Sequence, residues 1–134
     1  MIFTSTSPPF TYRIDRVRSI VFLEYGTAQP TAAEWCAVMD ELLVDRHFRP
    51  GMPAISDRRQ LQEAPVTSTL QEIARYVGAR RDAFGAARWA VVTATPAEYG
   101  MVRMAAVLFE GAGSQIELRA FTDADEAVAW AQER

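Results

Sequence analysis

The chain has 134 residues, 49 % of them apolar and 23 % charged, with a formal net charge of −3. A chain of this length buries roughly 68 % of its unfolded surface, so one core forms without a staple, and the composition excludes collagen-like, disordered and disulfide-rich classes. Cys36 is the only cysteine, which excludes an intrachain disulfide and a multi-cysteine zinc site.

Every basic residue is an arginine, and these are scattered along a chain of pI about 5.2 rather than gathered in a stripe, which argues against general nucleic-acid binding. The opening MIFTSTSPPFTYRID carries no basic residue before Arg13 and no apolar run of signal-peptide length, and no stretch approaches the ~20 apolar residues of a membrane span. With one cysteine, the expected compartment is the cytoplasm. One domain is expected over residues 1–134, with 1–10 as a flexible arm.

Tyr12 to Asp15 and Ser19 to Tyr25 read as a hairpin, because the second run is rich in β-branched and aromatic residues and the link Arg16-Val17-Arg18 is short. Gly26 ends the strand. Thr31 and Glu34 stand at capping-box spacing, and Trp35, Met39, Leu42 and Leu43 then form a helical apolar stripe. Pro50-Gly51 marks a turn before a strand over Met52 to Asp57, with Pro53 at its start.

Thr67, Ser68 and Thr69 open a second helix, Thr69 being placed to form a box with Glu72, and Leu70, Ile73, Ala74 and Val77 give its buried face up to a stop near Phe84-Gly85. Arg88 to Ala94 is a nearly continuous apolar run, as in a parallel strand buried on both faces. Thr95, Pro96 and Glu98 follow in the order N-cap, first-turn proline and capping glutamate. Tyr99, Val102, Ala106 and Phe109 are the expected buried face of the next helix, which Gly111-Ala112-Gly113 stops. Gln115 to Phe121 alternates like an edge strand, and Asp123 with Glu126 caps a last helix carrying Ala127, Val128 and Trp130.

The order ββαβαβαβα predicts an α/β fold with a mostly parallel mixed sheet, the first strand antiparallel and helices packed on it. Three stretches carry a family resemblance: Asp45-Arg-His-Phe-Arg-Pro-Gly51 leading to Ser56-Asp57-Arg58, Tyr99-Gly-Met-Val-Arg-Met104, and Phe121 through Trp130. Together they resemble the SpoIIAA-like family, within the STAS-type and lipid-carrier-like folds. The resemblance implies a small mixed sheet with helices on it, and non-catalytic roles in partner switching or ligand binding. The Asp-Ser-Ser-Gly phosphoacceptor motif of the sporulation members is absent. Thr67, Ser68 and Thr69 occupy the corresponding region as regulatory candidates, against the simpler account that they cap the helix.

No catalytic residue, metal site or cofactor is expected. His47 is the lone histidine, Cys36 reads as an inert thiol beside an apolar stripe, and no P-loop, nucleophile elbow or dinucleotide fingerprint occurs. The richer locus is the crevice at the strand carboxyl ends, where open α/β sheets bind ligands. Its candidates are Asp57, Arg58, Arg59, Thr95, Tyr99 and Arg103, suited to a small anion or lipid headgroup. In the competing structural reading Arg103 pairs with Asp57 or Glu110, and Arg58 and Arg59 are solvated. The first expected function is therefore a non-enzymatic module that binds a protein partner or itself. A small-molecule or lipid carrier comes second, and an enzyme with Asp57 as general base third. A homodimer is expected from Trp35, Trp89, Trp130, Phe109 and an open edge strand.

Overall fold

The computed structural model describes residues 10–133. A five-stranded sheet has the spatial order β1 (Phe10–Asp15), β2 (Ile20–Tyr25), β3 (Ala54–Asp57), β4 (Ala87–Val92) and β5 (Ile116–Phe121). The first pair is antiparallel, with Phe10 opposite Tyr25 and Asp15 opposite Ile20, and the remaining pairs are parallel. Phe10, assigned by the sequence to the flexible arm, instead opens β1 and is buried, because its ring stacks near Tyr25 and Trp35. The rest of that arm, residues 1–9, lies outside the described residues.

Five helices accompany the sheet in the described chain: α1 (Ala32–Leu43), α2 (Thr67–Ala79), the short α3 (Arg81–Phe84), α4 (Tyr99–Gly111) and α5 (Ala124–Gln132). Successive parallel strands are spatial neighbours advancing in one direction, so crossovers of one hand place their helices on one face. Accordingly α1, α2 and α4 pack side by side in a layer, and α5 alone covers β3, β4 and β5 from the other side. The larger core lies under that layer, where Leu23, Trp35, Val77, Phe84 and Trp89 meet. A smaller cluster of Ile20, Ile55, Ala90, Val92, Ala127 and Trp130 lies under α5. Strand alternation assigns the faces: Ala54 belongs to the larger core and Ile55 to the smaller.

Local chemistry explains most element ends. Asp15 Oδ1 accepts from the backbone N–H of Val17 and Arg18, closing the hairpin, whose Ser19 has a positive φ of 56°. Thr31 and Glu34 make both halves of the capping box, and the Asp123 side chain accepts from Asp125 and Glu126 N–H. Pro53 stands before β3, as expected, and its carbonyl accepts from Val21 N–H at 3.0 Å.

Three expectations fail at helix starts and ends. The N-cap of α2 is Val66, with extended backbone and no side-chain cap bond, so Thr67, Ser68 and Thr69 lie inside the first turn and cap nothing. The Thr69–Glu72 box is therefore not made; a chain already helical at Thr67 leaves no hydroxyl at the capping position. Next, α2 does not run on to Phe84, since Arg80 leaves helical geometry and α3 follows, ending at Gly85 with φ 75°. Finally, Thr95 precedes a 3₁₀ turn (Pro96–Glu98) and makes no side-chain cap bond, and α4 starts only at Tyr99. The buried stripe of α4 is Val102, Ala105 and Phe109, whereas Tyr99 is 37 % exposed and Ala106 only half-buried. Tyr99, in the first turn, stands outside this stripe.

Candidate functional site

β3 delivers successive residues to opposite sides of the sheet, and the alternation continues past its last residue, where Arg58 N–H still donates to Val92 C=O at 2.8 Å. Ser56 and Arg58 line a cavity beneath the α1–α2–α4 layer, while Asp57 and Arg59 line a groove on the α5 side. The six sequence candidates therefore do not converge. Asp57 and Arg59 form a two-pronged ion pair at 2.9 and 2.7 Å, exposed on both sides. Burial pushes the Asp57 carboxyl up, but the Arg59 hydrogen bonds outweigh this and hold it below its usual value. Thr95, Tyr99 and Arg103 are exposed. Arg103 makes no ion pair with Asp57 or Glu110 among the described residues.

Arg58 is the exception, and it is not solvated: 5 % of it is exposed. Nη2 donates to Gln29 Oε1 at 2.7 Å, and the guanidinium carbon sits 5.2 Å from the Tyr25 ring centroid. The Tyr25 hydroxyl accepts from Ser56 Oγ at 3.0 Å. Arg58 Nε is buried with no acceptor among the described residues. Taking an ion out of water is expensive unless a counter-charge and hydrogen bonds replace the lost hydration, yet no carboxylate lines this cavity among the described residues.

The cavity has a volume of about 70 Å³, and its lining includes residues at or next to the carboxyl ends of strands: Tyr25 of β2, Ser56 of β3 with Arg58 just beyond it, and Val91 of β4. Its floor is Leu23, Trp89 and Val91 of the sheet, and its walls include Trp35 of α1, Ile73 of α2 and Phe109 of α4. Arg58, Gln29, Tyr25 and Ser56 supply its polar end. The loop after β3 is tied across to the loop after β2 by Gln62 N–H donating to Thr27 C=O at 3.4 Å. The floor and walls were visible in the sequence only as core residues. The burial of Arg58 had a signal, its i+4 spacing from Ala54 on one strand face, which a charged residue past a strand end obscured.

Against known proteins, no family model matches the chain and no curated protein matches it. Among solved structures it is similar to a crystal structure of an uncharacterised protein of the DUF3478 family, described as having a SpoIIAA-like fold, from Shewanella loihica PV-4. The two superpose with a TM-score of 0.64 at 14 % identity, over 96 % of this chain and 98 % of that one. The fold is SpoIIAA-like. At that identity the likeness speaks for architecture alone: the mixed sheet with helices on it is what the three sequence stretches implied, and its antiparallel first strand is what the element order predicted.

The other sequence candidates stand apart from the cavity. His47 donates its backbone N–H to Asp45 Oδ1 at 2.8 Å, and no cluster of three metal-ligating side chains occurs among the described residues. Burial pushes the Cys36 thiol pKa up, with the Asp40 charge acting in the same direction, which fits an unreactive thiol. Thr67 and Ser68 are exposed at the start of α2, and Thr69 is half-buried. No helix among the described residues is long and apolar enough to cross a membrane.

Proposed function

We propose that this SpoIIAA-like protein is a non-catalytic binding module whose small-molecule site is the cavity between the sheet and the α1–α2–α4 layer. The observation that carries this reading is a mostly apolar cavity lined by residues at the carboxyl ends of parallel strands, where its polar side chains Tyr25, Ser56, Arg58 and Gln29 lie. Ligand sites in open α/β sheets occupy this position, and mostly apolar walls with a few orienting polar groups are their usual chemistry. The carrier, second among the sequence expectations, thus has more in its favour than the enzyme, because Asp57 faces the other side and is engaged by Arg59.

Native mass spectrometry of protein purified without denaturation tests the reading. A one-to-one small-molecule complex is expected, and it should be lost on Ala105→Leu, which fills the cavity from α4. Protein that is always empty, or a complex indifferent to Ala105→Leu, contradicts it.

A protein-partner reading has one observation of its own. Val66, Met104 and Val107 are exposed, with Thr67 Oγ1 3.9 Å from Met104 Sδ, which brings the start of α2 beside the outer face of α4. The aromatic residues that first suggested self-association do not contribute, since Trp35, Trp89, Trp130 and Phe109 are all buried. Light scattering of wild type and Val107→Glu decides: a dimer lost in the variant supports this surface, and a monomer at every concentration removes self-association.

A further inference from the structure

The unpartnered Nε of Arg58 says more about the ligand than the cavity alone does. A guanidinium presents its N–H groups as a planar fork, and its characteristic partner is an oxyanion bound by two parallel hydrogen bonds. Here Gln29, a neutral amide, takes Nη2, and nothing takes Nε. Buried polar groups in native proteins are nearly always satisfied, so an orphan at the polar end of a cavity marks the place of an absent acceptor. The nearby Tyr25 hydroxyl already accepts from Ser56, which leaves its own proton to donate.

The charge and the space restrict the acceptor further. Among the described residues Arg58 is the one ionisable cation lining the cavity and no acidic residue there balances it, so a single negative charge neutralises the site. A dianion would leave a second charge uncompensated among Leu23, Trp35 and Trp89. A cavity of ~150 Å³ accommodates the six carbons of benzene, so about 70 Å³ takes a chain of about three carbons.

Resting on the cavity reading above, we infer that the ligand is a short aliphatic monocarboxylate, its carboxylate held by Arg58 and its chain lying against Trp35 and Trp89. The selectivity arises from both ends at once. The uncompensated cation rejects amines and favours the acid over the alcohol of the same shape, and the apolar walls reject polar chains. Arg58 is a binding residue here, with no role in bond making.

Intrinsic fluorescence tests this directly, because Trp35 and Trp89 line the cavity while Trp130 lies under α5 and supplies a constant background. Wild-type protein, Arg58→Met and Arg58→Lys are titrated with propionate, butyrate, 1-butanol, butylamine and butyl phosphate. Saturable binding of the two carboxylates is expected, about ten- to hundredfold tighter than of butanol, with Arg58→Met reducing the acids to the level of the alcohol and Arg58→Lys, which keeps the charge but not the fork, in between. Equal binding of butanol and butyrate, or butyrate binding unchanged in a folded Arg58→Met, overturns the carboxylate inference and leaves the cavity reading standing. Tighter binding of butyl phosphate than of butyrate also overturns it, in favour of a phosphorylated ligand. Failure of every probe to bind folded wild type overturns both.

Discussion

Asp57 and Arg58 are adjacent in sequence yet serve opposite sides of the sheet. Asp57 turns to the α5 side and is bound by Arg59, while Arg58 turns under the helix layer with Gln29 as its hydrogen-bonded neighbour and no carboxylate among the described residues lining its cavity. The nearest acid in the chain is thus withheld from the buried cation by the two-residue period of the strand. Asp57→Asn should consequently leave ligand binding unchanged. Its stability should fall by less than about 1 kcal/mol, as for other exposed ion pairs, which a urea titration measures.

Two of the three helices that wall the cavity, α2 and α4, meet at Gly78. A Cβ at that position would lie 2.2 Å from the carbonyl oxygen of Ala112, at the end of α4. Gly78→Ala should destabilise the protein by ~1–3 kcal/mol through overpacking, although alanine is the better helix former by ~1 kcal/mol. Gly100, in the first turn of α4, has no atom within 4 Å of such a Cβ. Gly100→Ala should therefore be stabilising, and paired denaturant curves showing the two changes with the same sign would contradict the packing described.

Hydroxyl residues at two helix starts should respond differently. Thr31 accepts from Glu34 N–H, and the Glu34 side chain accepts from Thr31 N–H in return. Thr31→Ala should lower stability by ~1 kcal/mol. Replacing Thr67, Ser68 and Thr69 together by alanine should cost far less, because none of them caps α2. Thermal melts of the two variants check this, and equal losses would restore a capping role. Phosphopeptide analysis of protein from its own cells tests separately the sequence expectation that these hydroxyls are modified.

The Tyr12 hydroxyl donates to Asp45 Oδ2 at 2.7 Å, tying β1 to the segment after α1. Burial, then this bond and the Asp45 charge, push the Tyr12 phenol from 10.0 up to about 12. The His47 backbone N–H, followed by the Tyr12 hydroxyl, holds the Asp45 carboxyl below its usual value. A raised Tyr12 stabilises the fold fully below the unfolded value of about 10, and this contribution is lost as pH rises toward the folded one. A lowered Asp45 stabilises fully above its unfolded value near 3.9, and that contribution is lost as pH falls through the folded one. Melting temperature should therefore fall on both the acid and the alkaline side of neutrality. Tyr12→Phe should cost ~1 kcal/mol at neutral pH and soften the alkaline fall; an unchanged alkaline limb would show that the bond is not populated.

Much of this fold was legible locally. The apolar run Arg88 to Ala94 marked a strand buried on both faces, which the structure places at Ala87–Val92, Thr31 with Glu34 marked the start of α1, and Asp123 marked the start of α5, because each signal lies within a few residues. The start of α2 was misread because hydroxyl residues favour both caps and first turns, and only the backbone of Val66 distinguishes the two. The candidate site was legible in its location and in one of its residues. Thr95, Tyr99 and Arg103 were placed there because a helix was expected to begin at the strand end, but a 3₁₀ turn intervenes and all three side chains are exposed. The cavity itself depends on how α1, α2 and α4 sit over the sheet, a relation among residues far apart in sequence that no local pattern encodes.

The melting temperature of wild type and Arg58→Met, each with and without saturating butyrate, tests the account most directly. A ligand-free protein that buries an unsatisfied guanidinium sacrifices stability for its site. Arg58→Met should therefore melt at or above the ligand-free wild type and show no shift with butyrate, while butyrate raises the wild-type melting temperature. A variant that melts well below wild type, or that gains as much from butyrate as wild type does, would contradict the claim that Arg58 is kept for a ligand.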